Sequence, residues 1–259
     1  MYYEKYFKSN SVDWVLFIHG LGGSSKTWKY QLDAFKDYNI LCVDLQGHGQ
    51  SAYVKSDNPE KAAIYAIHDI LQQEDIKIVN IVSLSLGTII AFEFAYTYPD
   101  MVSTLTLAGC VLNLNFGKRM LVRFVNMLKY LMPIRLMYQM FAKVVMPKEN
   151  HKTSRKIFVR ESLKMTKKAF SDWISVLASS QSKLKKYISA INEKRLPVLM
   201  VTGEEDYLFV NGVKKLKFKI DNCKEEIINK CGHVCSIDKK QQFNEIVLKF
   251  LNKKESAMI

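Results

Sequence analysis

Val79-Asn80-Ile81-Val82-Ser83-Leu84-Ser85-Leu86-Gly87-Thr88 is an apolar, β-type run that stops at a serine flanked by small residues and then turns helical. A sharp strand-to-helix turn lifts a side chain clear of its sheet and strains the backbone, which small residues two positions to either side accommodate. Ser85 has Ser83 and Gly87 at those positions. Ser83 in the same role would have Ile81 and Ser85, and a β-branched isoleucine belongs inside a strand rather than against a turn. The segment therefore presents Ser85 as a nucleophile; the plain alternative is an ordinary polar turn.

Working outward, Trp14 to Ile18 is a short apolar run that ends in His19-Gly20-Leu21-Gly22-Gly23-Ser24-Ser25. Ile40 to Val43 is another, ending in Asp44-Leu45-Gln46-Gly47-His48-Gly49-Gln50-Ser51. Each reads as a buried parallel strand that empties into a glycine-rich loop. Further strands are expected near 77–83, 102–108, 197–202 and 225–229, with the first two near 14–19 and 40–44. Helices are expected near 27–36, 59–74, 86–97, 211–219 and 237–252. Asn58-Pro59-Glu60 is a helix start: a capping side chain, proline at the first helical position and an acid in the first turn. The alternation predicts an α/β fold, a mainly parallel sheet with helices on both faces. Thirteen residues precede Trp14, room for one edge strand over Tyr2 to Phe7 and not for a leading hairpin, so a small sheet is expected.

Five segments together resemble the α/β-hydrolase family: the His-Gly loop at 19–23, Asp-x-x-Gly-His-Gly-x-Ser at 44–51, Ser-x-Ser-x-Gly at 83–87, Gly203-Glu204-Glu205-Asp206, and Gly232-His233. They occur in the family's order and span nearly the whole chain. The resemblance implies a nucleophile, acid and histidine in that chain order, hence Ser85, Asp206 and His233. A serine hydroxyl needs a base to become nucleophilic, and the base needs an acid to fix its tautomer. Asp206 is preferred to Glu204 and Glu205 on the family's Gly-x-x-Asp spacing alone. The same resemblance assigns an oxyanion hole to the backbone amides of Leu21 and Leu86. His19 is expected to order the first loop, His48 to stabilise a turn and Asp44 to cap its loop, while His68 and His151 are expected to be solvated. Serine at 83, where glycine is commonest in the family, is a small departure.

Charge is distributed unevenly. Residues 113–195 carry 19 Lys and Arg against 4 acids, an excess of 15, and the remainder carries 19 against 21, so the whole net charge of +13 sits in one insertion. The division expected is a core of 1–112 and 196–259 and a helical, basic cap of 113–195, broken near Met132-Pro133 and Met146-Pro147. Phe116 to Val145 interleaves methionines and aromatics with Lys and Arg. That pattern suits a cap with one solvated face, an adaptable apolar pocket wall, or a helix that adheres to an anionic membrane surface. Charge without a recognition module gives no specific nucleic-acid binding.

With 259 residues and 48% hydrophobic content, the chain can bury a large core. No apolar run nears the roughly 20 residues of a membrane span, and no secretory leader opens the sequence. Five cysteines, an odd number, fit a reducing compartment. The expected location is the cytoplasm, with membrane association through the basic insertion as an alternative that stays open. Cys42 and Cys110 read as core fillers; Cys231, His233 and Cys235 lack a second ligand pair, so neither a metal nor a cofactor is expected. The expected chemistry is cleavage of a carboxylic ester with an apolar moiety through an acyl-enzyme. A thioesterase, amidase, carbon-carbon bond hydrolase or lyase, and a slow-turnover ligand receptor, share the fold and remain alternatives.

Overall fold

The computed structural model describes residues 1–8, 11, 13–113, 117, 120, 127 and 133–255. Seven strands are described: β1 (Tyr3–Tyr6), β2 (Trp14–Ile18), β3 (Asn39–Val43), β4 (Val79–Leu84), β5 (Val102–Ala108), β6 (Val198–Gly203) and β7 (Cys223–Ile228). They form one sheet in the order β1-β3-β2-β4-β5-β6-β7. β1 pairs antiparallel with β3, and every other pairing is parallel. Every residue of β3, β4 and β6 is buried. Because successive side chains point to opposite faces, both faces of the central sheet are covered.

Helices α1 (Pro59–Gln73) and α2 (Leu86–Thr97) follow β3 and β4, and α7 (Val210–Lys217), α8 (Cys235–Asp238) and α9 (Lys240–Glu255) complete the carboxyl-terminal part. Asn58 caps α1 as expected, its side chain accepting the Lys61 N–H at 3.0 Å with Pro59 at the first position. α2 is buried on all sides from Leu86 to Ala95, consistent with its lack of a polar face.

Between β5 and β6 the chain makes α3 (Ile134–Val145), α4 (Lys152–Ser162), α5 (Lys167–Ser179) and α6 (Leu184–Glu193). Met146-Pro147 does separate two helices, and Pro133 immediately precedes α3. Most of the expected methionine-rich stretch, including Phe116, Lys118, Arg119, Leu121, Arg123, Phe124, Leu128, Lys129, Leu131 and Met132, lies outside the described residues. Farther along the insertion, two polar bonds from α5 and the turn after it tie the segment to the core. Trp173 donates to the Gln46 carbonyl at 2.8 Å, and Gln181 to that of Val111 at 3.0 Å.

Two expected helices differ. Near 27–36 there is only a 3-10 turn, Ser25–Trp28, followed by further turns. Tertiary contacts fix that stretch: Trp28 and Phe35 pack on Phe17 at 4.8 and 5.3 Å, and buried Gln31 donates to Ser236 O and Asn244 Oδ1. The final helix breaks at Lys239, where φ −133 and ψ 51 leave the helical region, giving α8 and α9 instead of one element.

Candidate active site

The strand order places β2 and β4 side by side while the chain leaves β2 for β3 on one side and reaches β5 on the other. Loops at the carboxyl ends of two such strands diverge and leave a crevice, where open α/β sheets bind ligands. Ser85 and the His19–Gly23 loop stand at this point. The Ser85 N–H donates to the Ala108 carbonyl at 2.9 Å, extending the β4–β5 ladder one residue beyond the strand. Ser85 then adopts φ 54 and ψ −116. A Cβ at Gly87 would lie 2.5 Å from the Ile18 carbonyl oxygen, and one at Gly20 would lie 3.0 Å from Ser85 Cβ. Ser83, two residues before the turn, is buried and donates to the Thr106 carbonyl at 3.1 Å.

Loops after β6 and β7 are stitched together in the same way. Glu204 N–H donates to Ile228 O and Glu205 N–H to Cys231 O, both at 2.9 Å. The crossing is so close that a Cβ at Gly203 would meet the Gly232 carbonyl oxygen at 2.2 Å. Asp206 and His233 are thereby set against each other: His233 Nδ1 is 2.7 Å from Asp206 Oδ2, and Nε2 is 2.8 Å from Ser85 Oγ. An ionised carboxylate only accepts, so Nδ1 carries the ring proton and Nε2 offers its lone pair to the serine O–H. Asp206 is fully buried and His233 nearly so, with Phe209 packed on the imidazole at 5.0 Å. All three side chains singled out in the sequence therefore meet. Leu86 is the first residue of α2, directly after Ser85, and Leu21 lines the pocket in front of it.

A family model described as the alpha/beta hydrolase fold matches residues 13–240. The chain belongs to the α/β-hydrolase family. Its similarity to an uncharacterised protein of Mycobacterium bovis is 36% identity over 96 residues, 37% of this chain; the match spans only 28% of that relative's length. A putative 2-succinyl-6-hydroxy-2,4-cyclohexadiene-1-carboxylate synthase of Bacillus subtilis is 23% identical over 93% of this chain and 91% of its own. The solved esterase of Exiguobacterium antarcticum superposes with a TM-score of 0.84 at 17% identity, covering 97% of this chain and 95% of that one.

The remaining polar residues of this α/β-hydrolase serve its loops. Leu45 N–H donates to His19 Nε2 at 2.9 Å, so Nδ1 bears the proton bonded to the Gly20 carbonyl at 2.7 Å. His19 thus orders the first loop, and burial pushes its pKa below the ordinary value. Asp44 accepts from Ser25 N–H at 2.5 Å and Gln50 N–H at 2.7 Å, tying two glycine-rich loops. His48 is buried against His19 and Trp173, which lowers its pKa well below normal.

Two histidines depart from expectation. His68 is half-buried and stacked on Tyr98 at 4.3 Å. His151 is fully buried rather than solvated, its Nε2 2.8 Å from Glu205 Oε2 and its ring filling the space a Gly232 Cβ would need. Lys148 and Asn150 also bind Glu205, at 2.6 and 2.9 Å. Asn150, Lys148 and His151 together draw the Glu205 pKa down to about 2. Glu205 is thus consumed by an ion-pair latch, and Glu204 accepts the Lys230 amide at 3.2 Å. Gly109 was not singled out in the sequence, although a glycine directly after a strand at the carboxyl edge is a legible signal. At φ +52 a Cβ there would lie 2.9 Å from His233 Cε1.

Above Ser85 lies a narrow pocket with about 530 Å³ of empty space, open solvent included. Phe141, Val145, Met146, Ile157 and Phe158 from the 113–195 segment form one wall, and Leu84, Val234 and Ile237 form much of another. Its lining is mainly apolar, with Glu161, held by Arg160 and Lys164, at one edge.

Proposed function

We propose that this chain is a serine hydrolase that cleaves a carboxylic ester with an apolar acyl or alcohol part. The hydrogen-bonded chain Ser85–His233–Asp206 beneath an apolar pocket carries the reading. Ser85 Oγ attacks the carbonyl carbon as its proton passes to His233 Nε2. Asp206 holds the ring and steadies the imidazolium. The resulting oxyanion is held by the Leu21 and Leu86 amides, donors fixed before the charge develops. As the tetrahedral intermediate collapses, the carbon–oxygen bond to the alcohol breaks and that alcohol takes the proton from His233. Water then repeats the sequence on the acyl-enzyme, returning Ser85 and releasing the acid. Residues 113–195 act in this reading as a helical cap over a core of 1–112 and 196–259, with Phe141 and Phe158 against the acyl part.

A para-nitrophenyl ester series of graded chain length tests the reading. Turnover should favour esters long enough to fill the pocket and should fall about 10⁴-fold or more in Ser85→Ala. Turnover that survives this substitution would overturn it. The Bacillus subtilis relative is named as a synthase rather than an esterase, which supports a second reading, a reaction other than ester hydrolysis carried out by the same residues. Absence of ester turnover together with Ser85-dependent turnover of a carbonyl substrate that is not an ester would favour that reading.

A further inference from the structure

Helix α3 is apolar on two sides. Met137, Tyr138, Ala142 and Val145 are buried, whereas Leu136, Met140 and Val144 are 44%, 48% and 50% exposed. Residues four apart lie one above another on a helix, so these three make a continuous outward stripe. Across a shallow groove it faces Val159 and Leu163, the latter 43% exposed at the end of α4. Contiguous exposed apolar surface rimmed by polar residues is the kind of face that proteins present to a partner or a membrane.

The rim of this face is basic. Residues 134–164 contain eight Lys and Arg and two acids. Lys148, Arg155, Arg160 and Lys164 are committed to Glu205, Glu149 and Glu161. Arg135, Lys143, Lys152 and Lys156 are exposed and form no ion pair with a carboxylate among the described residues. The excess of six positive charges over residues 134–164 would turn this side of the molecule toward a negative surface.

We propose that the α3–α4 face docks on an anionic lipid bilayer. Apolar side chains flanked by cations match a membrane interface in both respects: the stripe enters the headgroup boundary and the cations meet acidic headgroups. The groove is open to solvent, and a fluid surface needs no socket for a particular side chain. Docking itself does not depend on the hydrolase reading. One consequence does: Phe141 and Val145, on the inward side of α3, line the pocket over Ser85, so a docked α3 would hold that pocket beside the lipid phase.

Sedimentation with vesicles of phosphatidylcholine alone, and of equal parts phosphatidylcholine and phosphatidylserine, tests the proposal on the full chain. Binding should be confined to the mixed vesicles and weaken at high salt. The double substitution Lys143→Glu/Lys156→Glu should reduce it by more than about tenfold. In Met140→Trp the indole emission should shift to the blue on the mixed vesicles, and thermal melts would show that both variants remain folded. Failure to bind mixed vesicles at low salt overturns the proposal, as does equal binding to neutral vesicles or indifference to the charge reversal. A blue shift that grows with protein concentration in the absence of lipid also overturns it, assigning the face to a second copy of the chain. Ester turnover by the soluble chain is a separate reading that none of these outcomes decides.

Discussion

Ser85 holds a positive φ that an ordinary residue adopts at a cost of about 1–3 kcal/mol. The ladder bond to Ala108 and the helix that follows hold it there. Around it, close approach is purchased with glycine, and Gly109 is the position where this matters most for His233. Gly109→Ala should place a methyl within 2.9 Å of the imidazole while demanding a left-handed backbone from alanine. We expect kcat for a short ester to fall about 10–100-fold with a smaller change in KM, because a displaced base spoils geometry more than binding. Steady-state kinetics beside a thermal melt would check this, and unaltered kcat in a folded variant would contradict it. Asp206 illustrates the limit of reading at this scale: three acids in a row were chemically equivalent in the sequence. The fold separates them, giving Glu204 to Lys230, Glu205 to His151 and Asp206 to His233.

At the scale of elements, the short stretch Lys148–His151 before α4 is the joint between the inserted helices and the loops that carry Asp206 and His233. The carboxylate it binds, Glu205 in the loop after β6, is held well below the usual glutamate value of about 4.3. Since the folded value is the lower one, the stabilisation is complete above about pH 4.3 and disappears as pH falls toward 2. Lys148 is half exposed, so solvent screening reduces the effect to on the order of 2 kcal/mol. Glu205→Gln should therefore be less stable than the parent at pH 7, and the difference should shrink through that acid window. Urea unfolding across pH 2–7 measures it, and a constant difference would contradict the latch. His151→Ala should lower stability by about 1–3 kcal/mol, having left a buried carboxylate short of a partner. Helix periodicity misplaced the element at 27–36 for a related reason: Gln31 and the aromatic contacts of Trp28 and Phe35 belong to distant partners that local spacing does not reveal.

At the scale of the molecule, α6 is joined to α1 and α2 by a buried polar cluster. The Tyr187 hydroxyl bonds both Glu60, at 2.7 Å, and Glu93, while Lys183 pairs with Glu60. Burial raises the Glu60 pKa, so this cluster holds a carboxyl that resists ionisation without its partners. Tyr187→Phe removes the shared hydroxyl from two buried acids and should cost about 2–4 kcal/mol. Differential scanning calorimetry should show a melting point several degrees lower; an unchanged one would count against the cluster as a clamp. By itself the sequence determined the strand-to-helix turn at Ser85, the capped start of α1 and the strand that becomes β1, because each is encoded by residues within a few positions of one another, and the α/β class through the alternation of strand-like and helical runs. Ser85, Asp206 and His233 were also legible through the order of their motifs. Only the tertiary structure decided that Glu205 and His151 latch the inserted helices, that Gly109 makes room for the imidazole, and that α3 leaves a second apolar stripe in solvent. Those facts depend on which distant segments come into contact, and a side chain's burial and partners are set by packing that its sequence neighbours do not specify.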